Sequence, residues 1–223
     1  MRTSHHRRGI ALVMQLAVGL IVAGALAACG SDDTSSGSST AKSAGNGIDR
    51  AFVSDMVPHH ESAVEMAEVA ERRGQTAFVT ELAADIISSQ KSEITTLKSI
   101  ASRLEAAGVK ATSLGVPEHQ MGMDSDVSEL ETAKPFDRAF IDMMIPHHQG
   151  AIRMARVELA KGSSAQAKQL ATQIISAQAS EIRAMNKHRT AEFGGPSPAG
   201  GVPADDAQED DADDGGMAGM GHG

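Results

Sequence analysis

Apolar positions recur at helical spacing over long stretches of this chain, and the pattern is written twice. Phe52, Met56, His59, Ala63, Met66 and Ala70 follow one another at intervals of four and three, which places them on one helix face. With an offset of 88 residues, Phe140, Met144, His147, Ala151, Met154 and Glu158 repeat that face. A second stripe reads Leu82, Ile86, Ser89, Glu93, Leu97, Ile100 and Leu104, and its counterpart Leu170, Ile174, Ala177, Glu181, Met185 and His188. The offset needs no gap and also aligns Gly74 with Gly162 and Gln90 with Gln178. Gly74 ends the first helix, and the second runs from near Gln75 to about Ala107, before Gly108. The pattern predicts an all-α protein, an antiparallel four-helix bundle over residues 48–192 built from two tandem hairpins, 49–107 and 137–192. The polar stretch from Gly108 to Pro135 then connects the hairpins across the bundle. Pro58 and Pro146 fall inside apolar faces that already begin at Phe52 and Phe140, so each is expected to kink a longer helix and free the carbonyl four residues earlier.

Two recurring features are not explained by packing. Each copy carries a Met-x-Pro-His-His core: Met56, His59 and His60 in the first, Met144, His147 and His148 in the second. His59 and His147 lie on the inward stripe, with His60 and His148 flanking it. Each copy also sets a carboxylate, Glu93 or Glu181, inside the apolar stripe of the following helix. An unpaired buried carboxylate costs several kcal/mol, so each glutamate is expected to pair with the histidine cluster of the neighbouring helix. A single methionine on a helical stripe is ordinarily core, but identical pairs of histidines beside methionines form a donor set. Imidazole with thioether suits Cu(I), and imidazole with carboxylate admits Cu(II) or zinc. The candidate ligands are Met56, His59, His60, Met66 and Glu93 in the first copy and Met144, His147, His148, Met154 and Glu181 in the second, with Met185 and His188 below. His119, Met121 and Met123 in the connection, and Met217, Met220 and His222 at the end, are further soft donors in segments expected to be flexible and without a core to fill.

Composition changes the picture at the two ends. Arg2, Arg7 and Arg8 precede an apolar run from Ile10 to Ala28, and Leu26-Ala27-Ala28-Cys29 closes it like the lipobox of bacterial lipoproteins. Residues 1–28 are thus expected to be a signal peptide, Cys29 the lipidated residue, and 29–47 a Ser- and Gly-rich tether. Two acyl chains on one cysteine suffice for stable membrane attachment. Loss of the leader removes three arginines and moves the formal charge from −9 to −12. So acidic a chain, without clustered Lys and Arg, is not a nucleic-acid binder. With its only cysteine lipidated, it has neither a disulfide nor a thiolate metal site. Residues 193–223, with an acidic run from Asp205 to Asp214 and a Gly-rich end, are expected to be a disordered tail.

The doubled Met-x-Pro-His-His-x-x-Ala-x-x-Met motif, followed on the next helix by Gln-x-x-Glu-Ile, resembles the ferritin-like bacterial family known as domain of unknown function 305. That resemblance covers about residues 48–190 and implies an exported helical bundle with a copper-binding relative. It carries over onto Met56, His59, His60 and Met66 and onto Met144, His147, His148 and Met154. The first copy departs from the family pattern, with Glu61-Ser62 where the second has Gln149-Gly150. The reading that follows is a lipid-anchored, extracytoplasmic protein on the outer face of the cytoplasmic membrane or in the periplasm. It sequesters Cu(I), or hands it to a partner protein, without catalysis. One rival is a structural or partner-binding lipoprotein whose histidines only bond the glutamates. Another is a di-metal oxidase, which needs Glu-x-x-His motifs that this sequence lacks. Replacing Cys29 with Ser should move the protein from the detergent phase to the aqueous phase in a partition experiment; retention in the detergent phase contradicts the lipid anchor.

Overall fold

The computed structural model describes residues 44–124 and 126–204; the leader, Cys29, most of the tether, and Met217, Met220 and His222 lie outside the described residues. Four helices follow in order: α1 (Gly47–Arg73), α2 (Ala77–Ala106), α3 (Phe136–Lys161) and α4 (Ala165–Phe193). α1 packs on α2 and α3 on α4 as two hairpins, and the hairpins join chiefly through α1 against α3. The bundle is all-α, as the repeat predicts. Local chemistry sets the helix starts. Asn46 opens α1 with a capping box shared with Asp49, while Thr76 and Ser164 cap α2 and α4 through their hydroxyls. Pro58 and Pro146 both sit inside continuous helices, as their place in the apolar faces requires.

The hairpins are locked by a reciprocal exchange of caps. Asp137, in the first turn of α3, accepts from the backbone N–H groups of Gln75 at 2.8 Å and Thr76 at 2.9 Å, and from the Thr76 hydroxyl at 2.7 Å. Asp49, in the first turn of α1, accepts in the same way from Ser164 N–H at 2.8 Å and from Ser163. The acid that opens each hairpin thus neutralises the free N–H groups that precede the second helix of the other hairpin. Both carboxylates are buried. Because the donors and acceptors are related by the same offset in both directions, the exchange has the form of a two-fold. α1 and α3 accordingly run antiparallel: Met66 shares one apolar cluster with Met144, Phe136 and Phe140, and Met56 shares the other with Met154 and Phe52.

Three expectations are corrected. Ser89 and Ala177 are exposed, and the neighbouring Gln90 and Gln178 are buried in their place. A residue four after Ile86 and three before Glu93 lies on the same seam, so alternating steps of three and four admit either neighbour. The connection is ordered. Leu114 and Leu130 anchor it in the core, and it forms short 3-10 turns at Glu118–Gln120 and Val127–Glu131. Finally, residues 194–204, assigned above to the tail, fold back on α3 and α4. Arg189 is buried, pairs with Asp142 at 2.7 and 3.0 Å, and donates to the carbonyls of Gly195 and Pro196.

Glu158, on the inward face of α3, is fully buried, and its carboxyl interacts with that of Asp49. Burial pushes its carboxyl up to about 9, and the adjacent Asp49 adds to the rise. Burial also works against the Asp49 carboxylate, but its N–H donors and Glu158 outweigh that and hold it low. Glu158 is therefore protonated in the fold, whereas in the unfolded chain it ionises near 4.5. Its contribution to stability is complete below that value and is lost as pH rises toward 9. Glu158→Gln keeps a neutral group of the same shape, so it should stabilise the protein at pH 8 by on the order of 1 to 3 kcal/mol. The gain should shrink toward pH 4.5 in thermal melts, and an equal effect at both pH values contradicts a protonated Glu158.

Candidate metal centre

The centre lies where α1 crosses α3. His59 and His147 meet there with ring centroids 3.8 Å apart and planes inclined by 37°. His60 and His148 sit 6.2 and 6.4 Å from their sequence neighbours. All four imidazoles are buried, at 1% exposure or less. The flanking rings turn toward the second helix of their own hairpin, where His60 Nε2 meets Glu93 Oε2 at 2.8 Å and His148 Nε2 meets Glu181 Oε2 at 2.6 Å. His59 Nε2 meets the carbonyl of Met121 at 2.9 Å.

These partners fix the tautomers. A carbonyl accepts only, and so does an ionised carboxylate, so Nε2 of His59, His60 and His148 carries a proton, and in the neutral ring Nδ1 keeps its lone pair. Those three Nδ1 atoms are buried with no hydrogen-bond partner, and so are both ring nitrogens of His147. Burial lowers the His59 ring to about 3, with the neighbouring His60 adding to the effect and the Met121 carbonyl opposing it. Burial likewise lowers His147 well below the usual histidine value, reinforced by the other three rings and opposed by the His59 backbone. Both rings therefore stay neutral at physiological pH with lone pairs available. Buried, uncharged imidazole with an unused lone pair is a metal donor waiting for an acceptor.

Thioethers are adjacent. Met56 and Met144 are fully buried one helical turn before His60 and His148, positions that face each other on a helix surface. Met66 and Met154, two turns beyond His59 and His147, are also buried. Among the described residues no three His, Cys, Asp or Glu side chains are arranged to hold an ion. A metal here would need imidazole nitrogen together with methionine sulfur, which is a soft donor set.

The candidate residues divide sharply. Glu93 and Glu181 keep side-chain exposures of 17% and 20%, and the oxygen that binds histidine is committed to Nε2–H. In that position each carboxylate orients its imidazole through one oxygen. Met185 lies in the apolar core. His188 is not part of the centre: it stacks on Phe78 with centroids 4.2 Å apart and lies 3.5 Å from the Thr76 hydroxyl, two turns past Glu181. His119 is exposed and Met123 is 39% exposed, whereas Met121 is half-buried and contributes its backbone carbonyl. The sequence reading did not assign Gln90 and Gln178 a role, although both amides are buried with neither polar atom bonded, one turn before Glu93 and Glu181. Their alignment at the repeat offset, immediately ahead of each glutamate, was the available signal.

The Gln149-Gly150 difference between the copies also has a physical cause. A Cβ on Gly150 would collide with the backbone of Met121, and one on Gly122 with the Pro146 carbonyl. Gln149 donates to the carbonyls of Ala199 and Gly201 at 2.8 and 2.7 Å. Thus the second copy carries the residues that let the connection and the chain after α4 lie close over α3.

Fold and site together define a helical bundle with a buried histidine and methionine layer. The chain belongs to the family described as a domain of unknown function, DUF305, whose model matches residues 49–189. It is similar to CopM in its Cu(I)-bound form, at 32% identity over 66% of this chain and 98% of that one with a TM-score of 0.55. CopM in its Cu(II)-bound form is 32% identical over 64% and 96% of the two chains, TM-score 0.56. A putative secreted DUF305 protein from Streptomyces coelicolor is 28% identical over 68% and 95%, TM-score 0.57. No curated protein matches the sequence.

Because His59 and His147 are held neutral, their contribution to stability is complete above the unfolded value of 6.5 and is lost as pH falls through their lowered folded values. Melts of metal-free protein should therefore show stability falling between pH 6.5 and 5, before most carboxylates titrate, by up to about 1.4 kcal/mol per pH unit for each ring. A flat profile across that window means that the rings take up protons in the fold as readily as in the unfolded chain.

Proposed function

We propose that this protein binds Cu(I) outside the cytoplasm and acts by sequestering or handing on the ion, not by catalysis. The observation that carries the reading is the set of five buried imidazole nitrogens without partners, drawn from all four histidines at the crossing of α1 and α3. Likeness to CopM, solved with Cu(I), Cu(II) and silver, supports binding of such an ion. His60 and His148 would offer Nδ1, held in place through Nε2 by Glu93 and Glu181, and Met56 and Met144 would add sulfur from the preceding turn. Zinc is a weaker fit, because the carboxylates are engaged with histidine and thioethers favour soft ions. The structural alternative explains the glutamates, yet it gives no use to the Nδ1 atoms or to His147. Export rests on the basic, apolar leader and on the relative described as secreted. Attachment to the outer face of the membrane rests on Cys29, and among the described residues no helix is long and apolar enough to cross a membrane.

Thermal melts with Cu(I) test the proposal. A ligand at a hundredfold excess over its Kd stabilises the native state by about 2.7 kcal/mol, and the parent should show a shift of that size. The double variant M56L/M144L conserves volume and should stay folded, since such swaps usually cost less than about 1.5 kcal/mol. It should lose at least tenfold in Cu(I) affinity in competition with a chelator while its weak Zn(II) binding is unchanged. A parent with no copper-dependent shift overturns the reading.

A further inference from the structure

The outer face of α3 carries a basic cleft that the metal centre does not use. Arg153, Arg156 and Lys161 line an open pocket of about 330 Å³ closed on its other side by Val116, Pro117 and Gln120 of the connection. Three cations gathered at one place are conspicuous in a chain of net charge −9. The described chain ends there as well. Arg156 donates through Nη2 to the carbonyl of Pro203 at 2.9 Å and through Nη1 to that of Ala204. The next ten residues hold Asp205, Asp206, Glu209, Asp210, Asp211, Asp213 and Asp214, with no cation among them. The acidic run therefore leaves the fold at the rim of the basic cleft.

The cleft adjoins the cover of the metal centre. Arg153 donates to the Gln120 carbonyl at 3.3 Å, and the carbonyl of the following residue, Met121, is the partner of His59 Nε2. Met217 follows the acidic run after only Gly215-Gly216, and a residue spans at most about 3.6 Å, so Met217 stays within roughly 11 Å of the end of the run, and Met220 and His222 within roughly 22 and 29 Å.

We propose that the acidic run 205–214 docks in the Arg153–Lys161 cleft of its own chain and holds Met217, Met220 and His222 at the mouth of the histidine centre. The docking stands on charge and on where the chain leaves the fold. The use of the tail as an entry or exit relay rests on the copper reading above. The effective concentration of a directly tethered segment lies in the millimolar range, so modest ion pairing suffices to keep it seated. The docking is electrostatic and weakens with salt.

Zero-length carbodiimide coupling of the full-length chain in neutral detergent tests this without any metal. The reagent joins a carboxylate to a lysine amine in contact with it, and peptide mapping identifies the pair. The expected product at low ionic strength links Lys161 to a carboxylate within 205–214, at a yield independent of protein concentration. The yield should fall several-fold in 1 M sodium chloride and in Arg153→Gln. Absence of that product, or equal coupling of the run to Lys91 and Lys98 on α2, overturns the docking. Coupling that rises with protein concentration also overturns it and assigns the cleft to the tail of a second copy. Replacing the seven acidic residues by their amides should slow transfer of Cu(I) to an external chelator at least threefold, with the ions bound at equilibrium unchanged. If the cross-link forms while no Cu(I) binds, the docking stands and the copper reading falls; if the cross-link forms and transfer is unchanged, the relay is overturned.

Discussion

Burying four imidazoles at one helix crossing, with His59 and His147 held neutral, is the constraint on which the rest of this structure depends. A buried polar atom without a partner costs about 1 to 3 kcal/mol, and the centre holds several of them. Apolar burial on either side must offset that cost, and the core is arranged accordingly. One cluster, around Phe136, Phe140 and Met144, fills one side of the crossing, and the other, around Phe52, Met56 and Leu104, fills the opposite side. The exchange of caps by Asp49 and Asp137 then fixes the rotation and the axial register of one hairpin on the other, without which His59 and His147 would not meet.

Much of this was legible in the sequence because a repeat doubles every signal. The inward faces of α1 and α3, including Glu158, were read correctly to the residue, since the intervals of three and four continue without a break and recur at the repeat offset. The pairing of the interior glutamates with histidine also followed, because a carboxylate in an apolar stripe has to find a donor. Which histidine it would be did not follow. On a helix the flanking His60 points toward α2 while His59 points toward α3, and that distinction of one residue depends on how the helices are rotated. The choice of Ser89 over Gln90 failed for the same reason: two adjacent positions bracket a seam, and only packing selects one.

Long-range contacts lay beyond any local pattern. His188 sits where the stripe places it, but the axial stagger of the hairpins sets it on Phe78 rather than near the other histidines. The connection reads as polar and Gly-containing, which signals a loop, yet Gly122 and Gly150 are there so that two backbones can approach closely. Likewise the Gly-Gly-Pro-Ser-Pro stretch after Phe193 has no core-forming pattern of its own. It is held by side chains of α3 and α4 that donate to its carbonyls, a role invisible in its own sequence.

The departures from symmetry are therefore as informative as the symmetry. Duplicated hairpins supply two equivalent histidine pairs, but a single chain can pass over only one of them. The second copy has accepted the glycine and the glutamine that make room for the connection and for residues 194–204, while the first keeps an exposed Glu61 paired with Lys98 at 2.9 Å. Cover over α3 carries a chemical consequence. Met121 donates no N–H to His59 but takes one from it, so the turn over the centre also sets which nitrogen of His59 is free.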